Sequence, residues 1–89
     1  MDKRKPRQEL AKRYKDMIGN TYRHFKGDLY EVVDIAVHSE KADVLVIYKS
    51  KKDPTLVWAR PLDMFLSDVD KYNYPLALQD QRFVEVTEE

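Results

Sequence analysis

Two hydrophobic periods divide this chain. Leu10, Tyr14, Met17 and Ile18 recur at i, i+4, i+7 and i+8, which is one stripe of an α-helix. Pro6 suits the first helical turn, where its missing N–H costs nothing. Gly19-Asn20 supplies a stop, because glycine accepts the left-handed conformation that ends helices. The pattern predicts a helix over 7–18, and its narrow stripe predicts that the helix lies on a body. From Thr21 the period becomes two, and TYRHF (21–25) alternates into Lys26-Gly27-Asp28, a tight turn with glycine for positive φ. LYEVVDIAVHS (29–39) follows as a long strand. Strict alternation would put Val33, Ile35 and Val37 on one face and Tyr30, Asp34 and His38 on the other. The turn EKAD leads to VLVIYK, and KSKKDP leads to LVWARP. After Pro61 the helical spacing returns in Leu62, Phe65, Leu66 and Val69, with Asp63 placed to complement the helix dipole. Residues 70–82 read as irregular, and FVEVT (83–87) alternates as a fifth strand.

Four strands in a meander, a helical turn and a closing strand predict a mainly β fold with an N-terminal α-helix. The expected form is a small SH3-like five-stranded antiparallel barrel, since curling hides unpaired edge groups. The alternative is an open curved antiparallel sheet with the helices on one face. The expected organisation is a basic N-terminal helix over 1–19 and a small β-barrel domain over 20–89.

Composition narrows the classes. Eighty-nine residues with 43% hydrophobic side chains make one modest core. The absence of cysteine excludes disulfides and thiolate metal ligands, and fits a reducing compartment such as the cytoplasm. No apolar run approaches the roughly 20 residues of a membrane span, so no membrane partner is expected. Net charge is zero, but residues 1–27 hold nine Lys/Arg against three Asp/Glu, giving +6, and residues 28–89 hold the compensating −6. The basic segment contributes Lys3, Arg4, Lys5, Arg7, Lys12, Arg13 and Lys15. Such an arm can contact nucleic-acid phosphates, fold back on its own acidic body or a neighbour's, or be a solvated helix face.

Candidate chemistry is sparse. Ser39 and Ser50 fall in turns, and two glycines cannot build a phosphate loop. His24, His38 and Glu40 would make a three-ligand metal site only if the strands brought them together, and no spacing is diagnostic. No catalytic residue, metal or cofactor is expected, and a metal-dependent or small-molecule enzyme is the weakest reading. Trp58 and Arg60, two apart on a strand, share a face, as do Tyr22 and His24. Together they would form an aromatic-cationic patch for a peptide, an anionic ligand or single-stranded nucleic acid. The plainer reading buries Trp58 and pairs Arg60 with an acid of the body. Asp34, on the face assigned to His38, could orient that ring or simply meet solvent.

The blocks YRHFKG, LYEV, AVHSE, LVIY, WARPLDMF and RF occur in this order. Together they resemble the bacterial family catalogued as a domain of unknown function, DUF1653, best over residues 22–66. The family pattern falls on Tyr22, His24, Lys26, Gly27, Tyr30, Val32, Ala36, His38, Ser39, Glu40, Val46, Tyr48, Trp58, Arg60, Pro61, Met64 and Phe65. Lys41 departs from it, standing where the family has threonine, and YNYPLALQDQ replaces the family's glycine turn before Arg82-Phe83. The resemblance implies a compact β fold and points to polar residues that a core does not require. The resulting expectation is a small non-enzymatic binding module of a bacterial or phage cytoplasm. Its surface would comprise Tyr22, His24, His38, Glu40, Trp58 and Arg60, facing an unknown protein, peptide or anionic ligand. Nucleic-acid binding through the basic helix is the alternative.

Overall fold

The computed structural model describes the backbone of residues 5–87 and the side chains of residues 9–87. Helix α1 (Lys5–Arg13) is followed by a 3-10 turn at Lys15–Met17. Five strands follow: β1 (Thr21–His24), β2 (Leu29–Val37), β3 (Val44–Ser50), β4 (Val57–Pro61) and β5 (Phe83–Val86). Helix α2 (Leu62–Phe65) stands between β4 and β5. The predicted single helix over 7–18 is thus an α-helix that tightens into a 3-10 turn. That tightening buries Met17, and the chain leaves through Gly19 at φ 89°. Gly27, at φ 111°, makes the β1–β2 turn.

All strand pairs are antiparallel, in the order β4-β3-β2-β1-β5. The expected barrel is not closed: the sheet is open, with β4 and β5 as its two edges. Side-chain packing fills the place that strand pairing would have taken. Phe65 of α2 stacks on Phe83 of β5 with ring centroids 4.1 Å apart and planes 5° from parallel. The same ring meets Tyr22 and Tyr48 edge-on at 5.3 and 5.4 Å. These four aromatics join Val32, Ile35, Val44, Val46 and Leu62 in one core, to which α1 and its turn add Ala11 and Met17. The basic helix is therefore packed on the body.

The expected faces of β2 hold after Val33 and are reversed at and before it. Register slips between Val32↔Tyr48 and Asp34↔Ile47, so Val33 is an extra residue, a β-bulge. Val32 is 1% exposed and Val33 42%. Before the bulge Tyr30 and Val32 face the core; after it Ile35 and Val37 do. Strict alternation fails because one inserted residue shifts the phase by half a period.

The predicted irregular segment, 70–82, is tied down at its base. Asp68 and Gln81 form a β-bridge, Val69 N–H donates to Asp80 O at 2.7 Å, and Arg82 N–H donates to Ser67 O at 2.9 Å. Phe25 N–H donates to Arg82 O at 2.9 Å, which fixes the loop's return against the end of β1.

Candidate anion-binding pocket

The register of β1 with β5 pairs His24 with Phe83 and brings Arg82 to the mouth of the β1–β2 turn. The register of β3 with β4 pairs Val46 with Arg60 and Tyr48 with Trp58, so Arg60 leans from β4 over the same face. These two pairings, joined by loop 70–82, enclose a pocket of about 210 Å³. Its lining is His24, Phe25, Lys26, Arg60, Asp70, Tyr74 and Arg82.

Each arginine is held by its Nε. Arg60 Nε donates to the Tyr48 hydroxyl at 3.2 Å, and its guanidinium lies 5.7 Å from the Phe83 ring centre. Arg82 Nε donates to Ser67 Oγ at 3.1 Å, and that hydroxyl donates in turn to Met64 O at 2.6 Å. Among the described residues the carboxylates that lie within 4 Å of a basic side chain are Asp34 on Lys15, Glu40 on His38, Glu31 on Lys51 and Asp80 on Lys71, so neither arginine has a carboxylate partner. The acid in the wall, Asp70, is occupied: it accepts from Tyr72 N–H, Asn73 N–H and Asn73 Nδ2 at 3.0, 3.4 and 2.6 Å. Lys26 sits over Tyr74 and Phe25, at 5.3 and 5.9 Å from their ring centres. The remaining N–H groups of the two planar forks and of the ammonium have no acceptor among the described residues.

His24 is the neutral member of this group. Its Nδ1 accepts Lys26 N–H at 3.1 Å, so in the neutral ring the proton sits on Nε2. Burial lowers its pKa below the ordinary 6.5, and Arg60, Arg82 and Lys26 push the same way against a smaller opposing effect of Asp28. At neutral pH it offers one N–H donor and no charge.

The other sequence candidates go elsewhere. Tyr22 is buried against Phe65, and its pKa is raised by burial first and by Glu85 second. Trp58 is on the Arg60 face but on the sheet edge, 49% exposed and outside the pocket lining, so it is neither core nor wall. His38 follows the far end of β2, while His24 lies beside its start. A nine-residue strand of this kind keeps them roughly 25–30 Å apart. The two histidines do not meet, and the His24–His38–Glu40 combination is not assembled. Among the described residues no three His, Cys, Asp or Glu side chains form a group that could hold a metal ion.

His38 instead organises the β2–β3 turn. Its Nδ1 accepts Glu40 N–H and Lys41 N–H, both at 3.1 Å, its N–H donates to Asp43 O and its carbonyl accepts Ala42 N–H. A nitrogen accepting two N–H bonds carries no proton, so the 3.9 Å approach of Glu40 to that same atom is not a charge pair. Asp34 does not orient His38. It accepts from Lys15 Nζ at 3.0 Å and from Ile35 N–H at 2.7 Å, and these bonds and the Lys15 charge lower its pKa.

Of the basic-arm candidates, Lys3 and Arg4 lie outside the described residues, as do the side chains of Lys5 and Arg7. Lys12 and Arg13 are exposed, whereas Lys15 bridges Asp34 and Ile35 O. Sequence reasoning missed Arg82, Phe25 and Tyr74 and read Lys26 as a turn residue. The available signal was Arg82 beside a core phenylalanine, but only the β1–β5 pairing turns it toward His24.

The profile of the family described as "Protein of unknown function (DUF1653)" matches residues 20–85. The chain is similar to the crystal structure of a protein belonging to DUF1653 from Bordetella bronchiseptica, with 29% identity and a TM-score of 0.61. That similarity covers 83% of this chain and 96% of the other. No curated protein sequence matches it. Among the described residues no helix is long and apolar enough to cross a membrane.

Proposed function

We propose that this chain, which belongs to the DUF1653 family, is a small non-enzymatic binding module that receives an anionic group between Arg60, Arg82, Lys26 and His24. One observation carries the reading: two arginines are fixed by their Nε atoms, lack any acid partner among the described residues, and line one pocket. Unpaired arginines in a shared pocket repel one another, and a carboxylate or phosphate relieves that repulsion through charge-assisted forks. Three permanent cations against Asp70 leave the lining at about +2, which suits a phosphate monoester dianion better than a single carboxylate. Two blocks of the DUF1653 resemblance, YRHFKG and WARP, put His24, Lys26 and Arg60 at this place. We take the strand connectivity, a meander whose fifth strand returns to the first, as SH3-like with an open seam. A bacterial cytoplasmic setting is part of the same reading.

Titration with inorganic phosphate, followed by amide shifts, tests it. Shifts confined to residues around His24, Arg60 and Arg82, and abolished in Arg82→Gln, are expected. Shifts that are absent at low salt, or unaltered in that variant, overturn it.

Nucleic-acid binding is the second reading, favoured by the exposure of Lys12 and Arg13. It predicts RNA or DNA affinity that falls steeply with salt and is lost in Lys12→Glu/Arg13→Glu. Affinity that survives both changes excludes it.

A further inference from the structure

Beside the anion pocket, and sharing Phe25, Lys26 and Tyr74 with it, runs a second cleft of about 390 Å³ floored by Pro75, Leu76 and Ala77. Its walls are mostly apolar. Phe25 and Tyr74 meet edge-on at 4.9 Å, 65° from coplanar, and make a corner against which a flat ring can lie. The loop is built to hold this shape. Lys71 Nζ donates to Ala77 O at 2.9 Å and pairs with Asp80, while Tyr74 N–H donates to Asp70 O at 2.9 Å. Polar bonds thus order a loop whose Tyr72, Leu76 and Leu78 are 93%, 89% and 100% exposed. Apolar groups shown to solvent by an ordered loop, next to a cationic pocket, are the composition of a binding site.

Resting on the anion-pocket reading above, we infer that the ligand is a nucleoside monophosphate. Its phosphate lies among Arg60, Arg82, Lys26 and His24, and its base lies in the Phe25–Tyr74 corner. Three observations favour this ligand. The shared walls put the anionic and apolar parts side by side, as they are in a mononucleotide. Asn73 lines the cleft and gives its Nδ2 to Asp70, leaving its carbonyl oxygen without a partner among the described residues and available to a base edge. Asp28 stands near the pocket and Asp70 in its wall, which suits one phosphate and repels a polyanionic strand or an anionic bilayer.

Calorimetry on the full chain with five probes tests this: inorganic phosphate, ribose 5-phosphate, AMP, UMP and phenyl phosphate. AMP or UMP is expected to bind about tenfold tighter than ribose 5-phosphate, the gain one stacked base brings. Tyr74→Ala, with an unchanged melting temperature, should weaken AMP and UMP about tenfold more than it weakens ribose 5-phosphate, which loses only the ring beneath Lys26. If ribose 5-phosphate binds and the nucleotides bind no tighter, the base site is wrong and the anion pocket stands. Phenyl phosphate binding more tightly than either nucleotide also overturns the nucleotide assignment. If no phosphate compound binds, both readings fall.

Discussion

Arg60 Nε donates to the hydroxyl of Tyr48 at 3.2 Å, so a core tyrosine aims a surface arginine. Tyr48 is buried, its ring meeting Tyr30, Phe65 and Phe83 edge-on. Tyr48→Phe should cost about 1 kcal/mol of stability, the net worth of one hydrogen bond. It should weaken phosphate binding severalfold by freeing the Arg60 fork. Urea unfolding and phosphate titration of the one variant separate the two effects. Arg60→Lys should not restore binding, because an ammonium cannot make the same fork.

The Phe65–Phe83 stack holds the open seam. Phe65 is wholly buried, and Phe65→Ala should cost about 3–5 kcal/mol, a large share of the stability available to a domain of this size. Chemical denaturation should show either a much lower midpoint or an unfolded chain. Leu66→Ala, one residue on and exposed, should stay within about 0.5 kcal/mol.

The β2 bulge makes opposite demands on adjacent valines. Val32→Thr buries an unpartnered hydroxyl and should cost about 1–3 kcal/mol. Val33→Thr should be neutral within about 0.5 kcal/mol. Thermal melts of the pair check the order, and equal losses would contradict the register slip at Val33.

His24 couples the pocket to pH. Its folded pKa lies below the ordinary 6.5, so on acidification the unfolded chain takes up the proton first. The contribution is fully present above about 6.5 and is lost as pH falls through the folded value. Stability should therefore fall on acidification from about 6.5 down to the folded value, and His24→Gln should flatten this part of the profile. Bound phosphate should raise the His24 pKa by adding a negative charge beside it, a shift visible in the ring proton resonances.

Much of this fold is legible along the chain because its causes are local. Period-two stretches broken by Lys26-Gly27-Asp28, EKAD and KSKKDP fix five strands, and Pro61 followed by an apolar stripe fixes a helical turn. His24 and Arg60 could be singled out because polar groups interrupt runs that a core would keep apolar. Lys26, Arg82 and Tyr74 could not, since a turn lysine, a pre-strand arginine and a loop tyrosine each have ordinary local explanations.

Tertiary structure decided the rest. The bulge at Val33 is a mismatch between β2 and β3 and exists in neither strand alone. Closure of the sheet depended on whether β4 would meet β5, and the Phe65–Phe83 stack took that space. His24 and His38, each beside an end of β2, are parted by the length of the strand. His24 and Arg82, 58 positions apart, are joined because antiparallel pairing of β1 with β5 sets their segments side by side. Local periodicity fixes which segments are strands, but a pocket is made by register between strands, and register is a property of the packed chain.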